Sequence, residues 1–207
     1  SIIIAIWGRE SGFGRAKIPH SAVRVIATKA FMSTRPDLFR KEILAALQIL
    51  ERGDVPASAM KGSWAGAMGQ PQFLPSSYLD HAVDFDGDGK RDIWNSTADS
   101  LASIANYLAR SGWVRGRDWG FEAVIPQGVT CALEGPDRAR PISELTGMGI
   151  IRISGRPFPE HERRAPGMVL VPAGIFGPEF VVTPNFYVIK EYNNSDLYAL
   201  FIGNLAD

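Results

Sequence analysis

A carboxylate closes a very apolar stretch near the start of the chain, in Trp7-Gly8-Arg9-Glu10-Ser11-Gly12-Phe13-Gly14. Residues 2–10 are apolar nearly all round and read as a buried helix, with the glycines after Glu10 marking its end. Ile6 and Trp7 lie one turn back from the carboxyl. Apolar neighbours and the negative end of the helix dipole both favour a protonated carboxyl. A carboxyl held neutral near pH 7 is what a general acid requires. The same residues also allow a surface glutamate at a helix end, paired with Arg9 or Arg15.

A second block, Lys61-Gly62-Ser63-Trp64-Ala65-Gly66-Ala67-Met68-Gly69-Gln70-Pro71-Gln72-Phe73-Leu74-Pro75-Ser76-Ser77-Tyr78, is dominated by small residues. Small residues let backbone approach a ligand closely. Ser63, Gln72 and Tyr78 can supply hydrogen bonds, and Trp64 or Phe73 an apolar platform. Tight helix packing through small side chains is the other reading of this block.

The third block runs Asp84-Phe85-Asp86-Gly87-Asp88-Gly89-Lys90-Arg91-Asp92-Ile93-Trp94-Asn95. Asp84, Asp86 and Asp88 fall at positions 1, 3 and 5 of an EF-hand-type loop. Gly89 takes the turn at 6, the Lys90 carbonyl position 7, Asp92 position 9 and Asn95 position 12. Asn95 stands where such loops carry a bidentate glutamate, which removes one charge. Four spaced carboxylates repel one another without a cation, so the loop predicts structural Ca2+. An Asp/Gly-rich turn without metal is the alternative.

The elements that must position these groups are helical at first. Residues 21–33 show Val23, Ile26, Ala27 and Ala30 on one face. A helix from about Pro36 to Arg52 carries Phe39, Ile43, Leu47 and Leu50, with Pro36 in its first turn and Gly53 at its end. Residues 54–74 read as loop and short helix, and Pro75 to Ala82 as a short helix. Ser96-x-x-Asp99 reads as a capping box opening a helix with Leu101, Ile104, Ala105 and Leu108, closed by Gly112.

From about Gly120 to Lys190 the texture changes to short β-branched runs broken by Gly and Pro. Ala123–Ile125, Gly149–Ile153, Met168–Val171 and Phe180–Val182 read as strands of a small antiparallel element. Ser195 caps a last helix with Leu197, Leu200, Phe201 and Leu205, expected to return to the first half. The plan is α+β: a mainly helical core over 1–119, a β-rich insertion over 120–183, and a return to the core over 184–207.

Composition excludes several classes. Hydrophobic residues form 45% of the 207, as in a globular protein, and no apolar run reaches membrane-spanning length. The 22 basic and 22 acidic residues leave no basic excess for nucleic acid. The single cysteine, Cys131, forbids an internal disulfide and is expected in a strand. His20, His81 and His161 lack zinc-ligand spacing. Arg138-Ala139-Arg140 and Glu160-His161-Glu162-Arg163-Arg164 read as solvated loop charges. The opening Ser1-Ile2-Ile3-Ile4 lacks the basic start of a signal peptide, and a preceding segment bearing any export signal or anchor is expected.

Taken together, the Gly8–Gly14, Gly62–Gly69 with Gln72–Tyr78, and Asp84–Trp94 blocks resemble the B-type membrane-bound lytic murein transglycosylases. The late Asn185-Phe186-Tyr187-Val188-Ile189-Lys190-Glu191-Tyr192-Asn193-Asn194-Ser195-Asp196-Leu197-Tyr198-Ala199 is similar to that family's closing motif. The four blocks stand in family order and span nearly the whole chain.

The resemblance implies a lysozyme-like helical core with a small β domain inserted before the C-terminal helix. Glu10 would be the only catalytic carboxylate. Ser63, Gln72, Tyr192 and Asn193 would line the sugar cleft, with Ser63 and Asn193 near the N-acetyl group. The Asp84 loop would match a calcium site, and no cofactor would serve catalysis. The implied partners are peptidoglycan glycan strands and cell-wall synthesis enzymes. A monomer in the periplasm or at the outer membrane of a Gram-negative bacterium is expected.

Overall fold

The computed structural model describes residues 1–129 and 133–207, so Cys131 and its expected strand lie outside the described residues. Contacts divide the chain into two compact units, Ser1–Arg110 with Ala206, and Ser111–Leu205 with Asp207.

The first unit is helical. Helix α1 (Ile2–Ser11) ends where Gly12 turns left-handed at φ 56° and donates its N–H to the Gly8 carbonyl. It packs on α5 (Thr97–Arg110). The expectation of burial all round is corrected: Ala5 and Ile6 are buried, whereas Ile4 is 46% exposed. Helix α2 (Ala22–Met32) is capped by the Ser21 side chain. Helix α3 (Pro36–Arg52) starts on Pro36 and ends at left-handed Gly53.

The buried face of α3 differs from the one read in the sequence. It consists of Glu42, Ala45, Ala46 and Ile49, with Leu44 and Leu47 half exposed or more. The reason is α4 (Pro75–His81), which packs on α3 and whose N-cap residue Leu74 offers no capping side chain. Glu42 does that work from 34 positions away. Its carboxylate accepts the Ser76 N–H at 2.9 Å and the Ser76 hydroxyl at 2.7 Å. A negative charge at a helix N-terminus also meets the positive end of the dipole.

A two-stranded ribbon, β1 (His20–Ser21) and β2 (Lys61–Gly62), leads into the small-residue block. That block is a bridged loop, with Met68 paired to both Gly62 and Phe73. Gly69 has φ +64°, and a Cβ there would lie 2.6 Å from the Ile93 carbonyl oxygen. Only glycine lets the acidic loop come this close.

The second unit holds a five-stranded antiparallel sheet of order β4-β6-β7-β3-β5. Its strands are β3 (Gly120–Val124), β4 (Arg140–Pro141), β5 (Ile151–Arg152), β6 (Pro166–Leu170) and β7 (Glu179–Val182). Phe121, Ala123, Val169 and Val181 point to one side, packed with Ile142 and Leu145 of the helix Ile142–Gly147. Met168, Leu170, Phe180 and Val182 are buried too, and the Trp119 ring lies 6.2 Å from Phe180 and 6.4 Å from Phe186. Burial of both faces explains why β6 and β7 read as unbroken apolar runs.

Two helices follow, Pro184–Tyr192 and Asp196–Ala206. The second is capped by Ser195 as expected, but it buries Tyr198, Ala199, Leu200, Ile202 and Gly203, and leaves Leu197, Phe201 and Leu205 exposed. Gly203 sets that face, because a Cβ there would stand 2.4 Å from the Trp119 ring.

Two charge clusters expected in solvated loops are partly structural. Arg140 opens β4 and pairs with Glu144. Glu162 is fully buried; it accepts the Asp118 N–H at 3.0 Å and faces Arg117 Nε at 3.2 Å.

Candidate active site

Glu10 stands in the last turn of α1 and is partly buried. Its neighbour one turn back, Trp7, is held from two sides. The Trp7 indole N–H donates to Gln70 Oε1 at 2.8 Å. The Phe13 ring meets Trp7 edge-on, 5.4 Å between centroids. Phe13 reaches that place by adopting φ 61° and folding back over Gly8, where a Cβ would stand 2.8 Å from its ring. Ser11 fixes the turn after Glu10, its hydroxyl donating to the Trp7 carbonyl and accepting the Gly14 N–H.

Gln70 is the residue the sequence reading did not single out. It is 6% exposed and joins all three motifs. Its oxygen takes the Trp7 N–H, its amide group donates to the Trp94 carbonyl at 3.3 Å, and its backbone N–H donates to the Ile93 carbonyl at 2.8 Å. A Cβ on Gly14 would lie 2.7 Å from Gln70 Oε1, so that position also demands glycine. Nothing in local spacing marks this residue; only the meeting of three segments does.

Ser63 and Gln72 flank the same block. Ser63 Oγ accepts the Ala67 N–H at 3.2 Å and the Ala65 N–H at 3.4 Å, which leaves its proton to donate outward. Gln72 adopts φ 57° and donates its amide group to the Gly69 carbonyl at 2.9 Å. Phe13 and Gln72 are the non-glycine residues with positive φ among those described, each costing about 1–3 kcal/mol. Trp64 is 75% exposed with Lys29 Nζ 4.9 Å from its ring centroid, whereas Phe73 is buried.

Tyr78 corrects the expected set. It is fully buried, and its hydroxyl donates to the Arg91 carbonyl at 2.8 Å. Burial, followed by the charge of Asp54, pushes the phenol far above its ordinary titration range. A side chain with no exposed surface offers nothing to a sugar; this one anchors the acidic loop to α4. Tyr78→Phe is therefore expected to lower stability by about 1–3 kcal/mol, through the unpaired Arg91 carbonyl, with turnover intact. Lost turnover at an unchanged melting temperature would restore Tyr78 to the sugar-binding set.

Tyr192 and Asn193 sit in the second unit. Tyr192 ends the helix Pro184–Tyr192 and is partly buried; Asn193 is its exposed, extended C-cap.

The acidic loop is shaped by its own carboxylates. Asp84 accepts the N–H groups of Gly87 and Gly89, Asp86 that of Asp88, and Asp88 that of Lys90. Asp92 accepts those of Trp94 and Asn95, and the Asn95 amide group at 3.0 Å. Carboxylate oxygens of Asp84, Asp86 and Asp99 lie within 4.8 Å of one another. Asp88 and Asp92 stand outside that group, and Asp99 was expected only as half of a capping box.

That box is half made: Ser96 Oγ accepts the Asp99 N–H at 3.1 Å. The fully buried Asp99 carboxylate turns instead to the loop, taking the N–H groups of Phe85 and Asp92 at 2.9 Å each. An oxygen-only donor set carrying this much negative charge fits a hard divalent cation.

An apolar helix closed by a carboxylate, a glycine-rich loop beside it, and a separate antiparallel sheet define a lysozyme-like lytic transglycosylase fold. The chain belongs to the family described as the transglycosylase SLT domain, whose model matches residues 1–207. It is 32% identical over 207 residues to membrane-bound lytic murein transglycosylase B of Escherichia coli (strain K12), across 99% of this chain and 55% of that protein. SltB3 from Pseudomonas aeruginosa, in complex with NAG-anhNAM-pentapeptide, superposes with a TM-score of 0.95 at 49% identity, covering 100% of this chain and 55% of that one. Escherichia coli Slt35, in complex with calcium, gives a TM-score of 0.79 at 33% identity, covering 99% of this chain and 64% of that one. The chain thus spans about half the length of the curated relative it matches.

Proposed function

We propose that this chain cleaves the β-1,4 bond between N-acetylmuramic acid and N-acetylglucosamine in peptidoglycan without consuming water. The observation that carries the reading is Glu10 at the closed end of α1, in a chain that matches a transglycosylase family throughout. Glu10 gives its proton to the bridging oxygen as that bond breaks. The muramyl acetamido group supports the cationic centre. The Glu10 carboxylate then takes the proton of the C6 hydroxyl of the same sugar, and that oxygen closes on C1. Attack within one ring has a large effective molarity over attack by water. One carboxyl therefore suffices where glycosidases commonly use two. The SltB3 ligand contains an anhydro sugar of this kind.

Ser63 suits the acetamido group, because its hydroxyl proton points away from the loop amides it accepts from. Gln72, Tyr192 and Asn193 are assigned as further sugar contacts. The loop from Asp84 to Asn95 is assigned to structural Ca2+, with Asp84 and Asp86 as ligands whose oxygens converge with those of Asp99, and with Asp88, the Lys90 carbonyl, Asp92 and Asn95 as further loop ligands. No helix among the described residues is long and apolar enough to cross a membrane. A periplasmic or outer-membrane-associated site of action follows from the substrate. The chain is assigned as a monomer that engages cell-wall synthesis enzymes.

The product decides between this chemistry and hydrolysis. If O6 is the nucleophile, digestion of sacculi in ¹⁸O-water leaves the new muramyl end unlabelled and resistant to borohydride, and mass spectrometry finds it one water lighter. Heavy oxygen at a reducible muramyl end as the main product would instead make the chain a lysozyme-type hydrolase.

A further inference from the structure

The turn that follows Glu10 is strained, and burial does not hold it. Gly12, Phe13 and Gly14 are left-handed in succession, at φ 56°, 61° and 76°. Such a run costs free energy at Phe13 and persists only where surrounding groups over-determine it. Yet all three residues are exposed, Phe13 by 49%. The restraint therefore comes from specific contacts, and Gln70 brings two of them from a distant segment.

Gln70 Oε1 reaches both sides of Glu10. Three positions before the carboxylate, it accepts the Trp7 indole N–H at 2.8 Å. Four positions after it, Gly14 comes so close to the same oxygen that a Cβ there would stand 2.7 Å away. Trp7 passes the restraint on: its ring meets Phe13 at 5.4 Å between centroids, and its carbonyl accepts the Ser11 hydroxyl at 3.1 Å. One oxygen thus braces the last turn of α1 and the reversal after it.

The brace is itself anchored. The Gln70 amide group donates to the Trp94 carbonyl at 3.3 Å, and its backbone N–H to the Ile93 carbonyl at 2.8 Å. Trp94 is fixed in turn, its N–H on Asp92 at 3.0 Å and its indole N–H on the Lys61 carbonyl at 2.8 Å. A cavity of about 320 Å³ opens beside Gln70, bordered also by Ser11, Gly14, Lys61, Trp94 and Asn95. On that side hydrogen bonds, and not close packing, orient the amide.

Residues three apart on a helix share a face, so a shift of Trp7 shifts the support of Glu10. Proton transfer needs hydrogen-bond geometry, and a misplacement of about 1 Å from a distant change can cost about 10²-fold in rate. We propose that Gln70 is a positioning residue for the cleavage reaction, fixing the Glu10 turn through the Trp7 indole and the Gly14 backbone. The assignment rests on Glu10 as the proton donor. Gln70 itself is 6% exposed and offers almost no surface to a sugar.

Steady-state cleavage of peptide-free glycan strands tests this with two variants. Gln70→Met keeps the length of the side chain and loses its hydrogen bonds. Trp7→Phe removes the indole N–H and keeps a ring. Each is expected to lower kcat by about 10–10²-fold with KM within about twofold of wild type, at a temperature where circular dichroism shows folded protein. The double variant is expected to be no slower than the slower single one, because both remove the same bond. A merely structural role would lower the melting temperature and leave kcat per folded molecule unchanged. Wild-type kcat in Trp7→Phe or in folded Gln70→Met overturns the assignment. So does a raised KM with kcat kept, or a double variant in which the two losses multiply. If Gln70→Met does not fold, Trp7→Phe decides alone, since it leaves Gln70 in place. Glu10→Gln separates this from the catalytic reading: cleavage at wild-type rate removes the acid and its positioning together. A dead Glu10→Gln beside fully active Gln70→Met and Trp7→Phe leaves catalysis standing and sinks the positioning.

Discussion

Replacing Glu10 with glutamine is expected to slow glycan cleavage by about 10²–10⁴-fold, or about 3–5 kcal/mol of barrier, with binding retained. Glutamine keeps the shape of the side chain and can still hydrogen-bond, but it delivers no proton to a glycosidic oxygen. Glutamine is isosteric with the glutamic acid it replaces, so the fold is expected to be kept. The signature is therefore double: turnover collapses while the melting temperature holds. A residue with only a structural role would show the reverse pattern. Clearing of sacculi at near wild-type rate by Glu10→Gln would remove Glu10 from the mechanism.

The second large effect concerns the acidic loop and its buried clamp. Asp99→Ala strands the Phe85 and Asp92 N–H groups that its carboxylate receives at 2.9 Å. At about 1–3 kcal/mol per stranded group, the loss is about 3 kcal/mol and the melting temperature falls on the order of 10 °C. This fall should persist in chelator, because the clamp works without the cation. Calcium adds a separate term. A ligand bound only by the native state stabilises it by about 1.4 kcal/mol at ten times its dissociation constant, or about 3–6 °C here. Melting curves of wild type and Asp86→Ala, each in chelator and in calcium, separate the two contributions. Calcium that shifts both proteins equally would make the loop an ordinary Asp/Gly turn. Loss of the response in Asn95→Ala would establish that the amide at position 12 contributes despite its missing charge.

Several features were legible because their causes are local. The end of α1 at Ser11 follows from glycines within a few residues of it, and α3 runs from Pro36 to Arg52 between a proline and a glycine. The apolar runs marked β3, β5, β6 and β7, though they missed two-residue β4. Loop spacing brought Asp84 and Asp86 together. What helix faces would be buried was less legible. Leu47 of α3 and the Leu197, Phe201 and Leu205 stripe have helical spacing, yet they are exposed. A period shows that a face exists, and the partner decides which face is covered.

The sequence by itself determined which groups are available for chemistry: a carboxyl ending an apolar helix, hydroxyl and amide groups among small residues, and oxygen donors at regular intervals. Tertiary structure decided what each can do. Trp7 meets Gln70 across 63 positions, and Glu42 caps α4 across 34. Tyr78, chosen as a sugar contact by type, is sealed beneath the acidic loop, while Asp99, chosen as a helix cap, clamps that loop. A residue's type sets which hydrogen bonds it can make; burial and the arrival of distant segments set which are made. Those depend on long-range packing that no window of neighbouring residues contains.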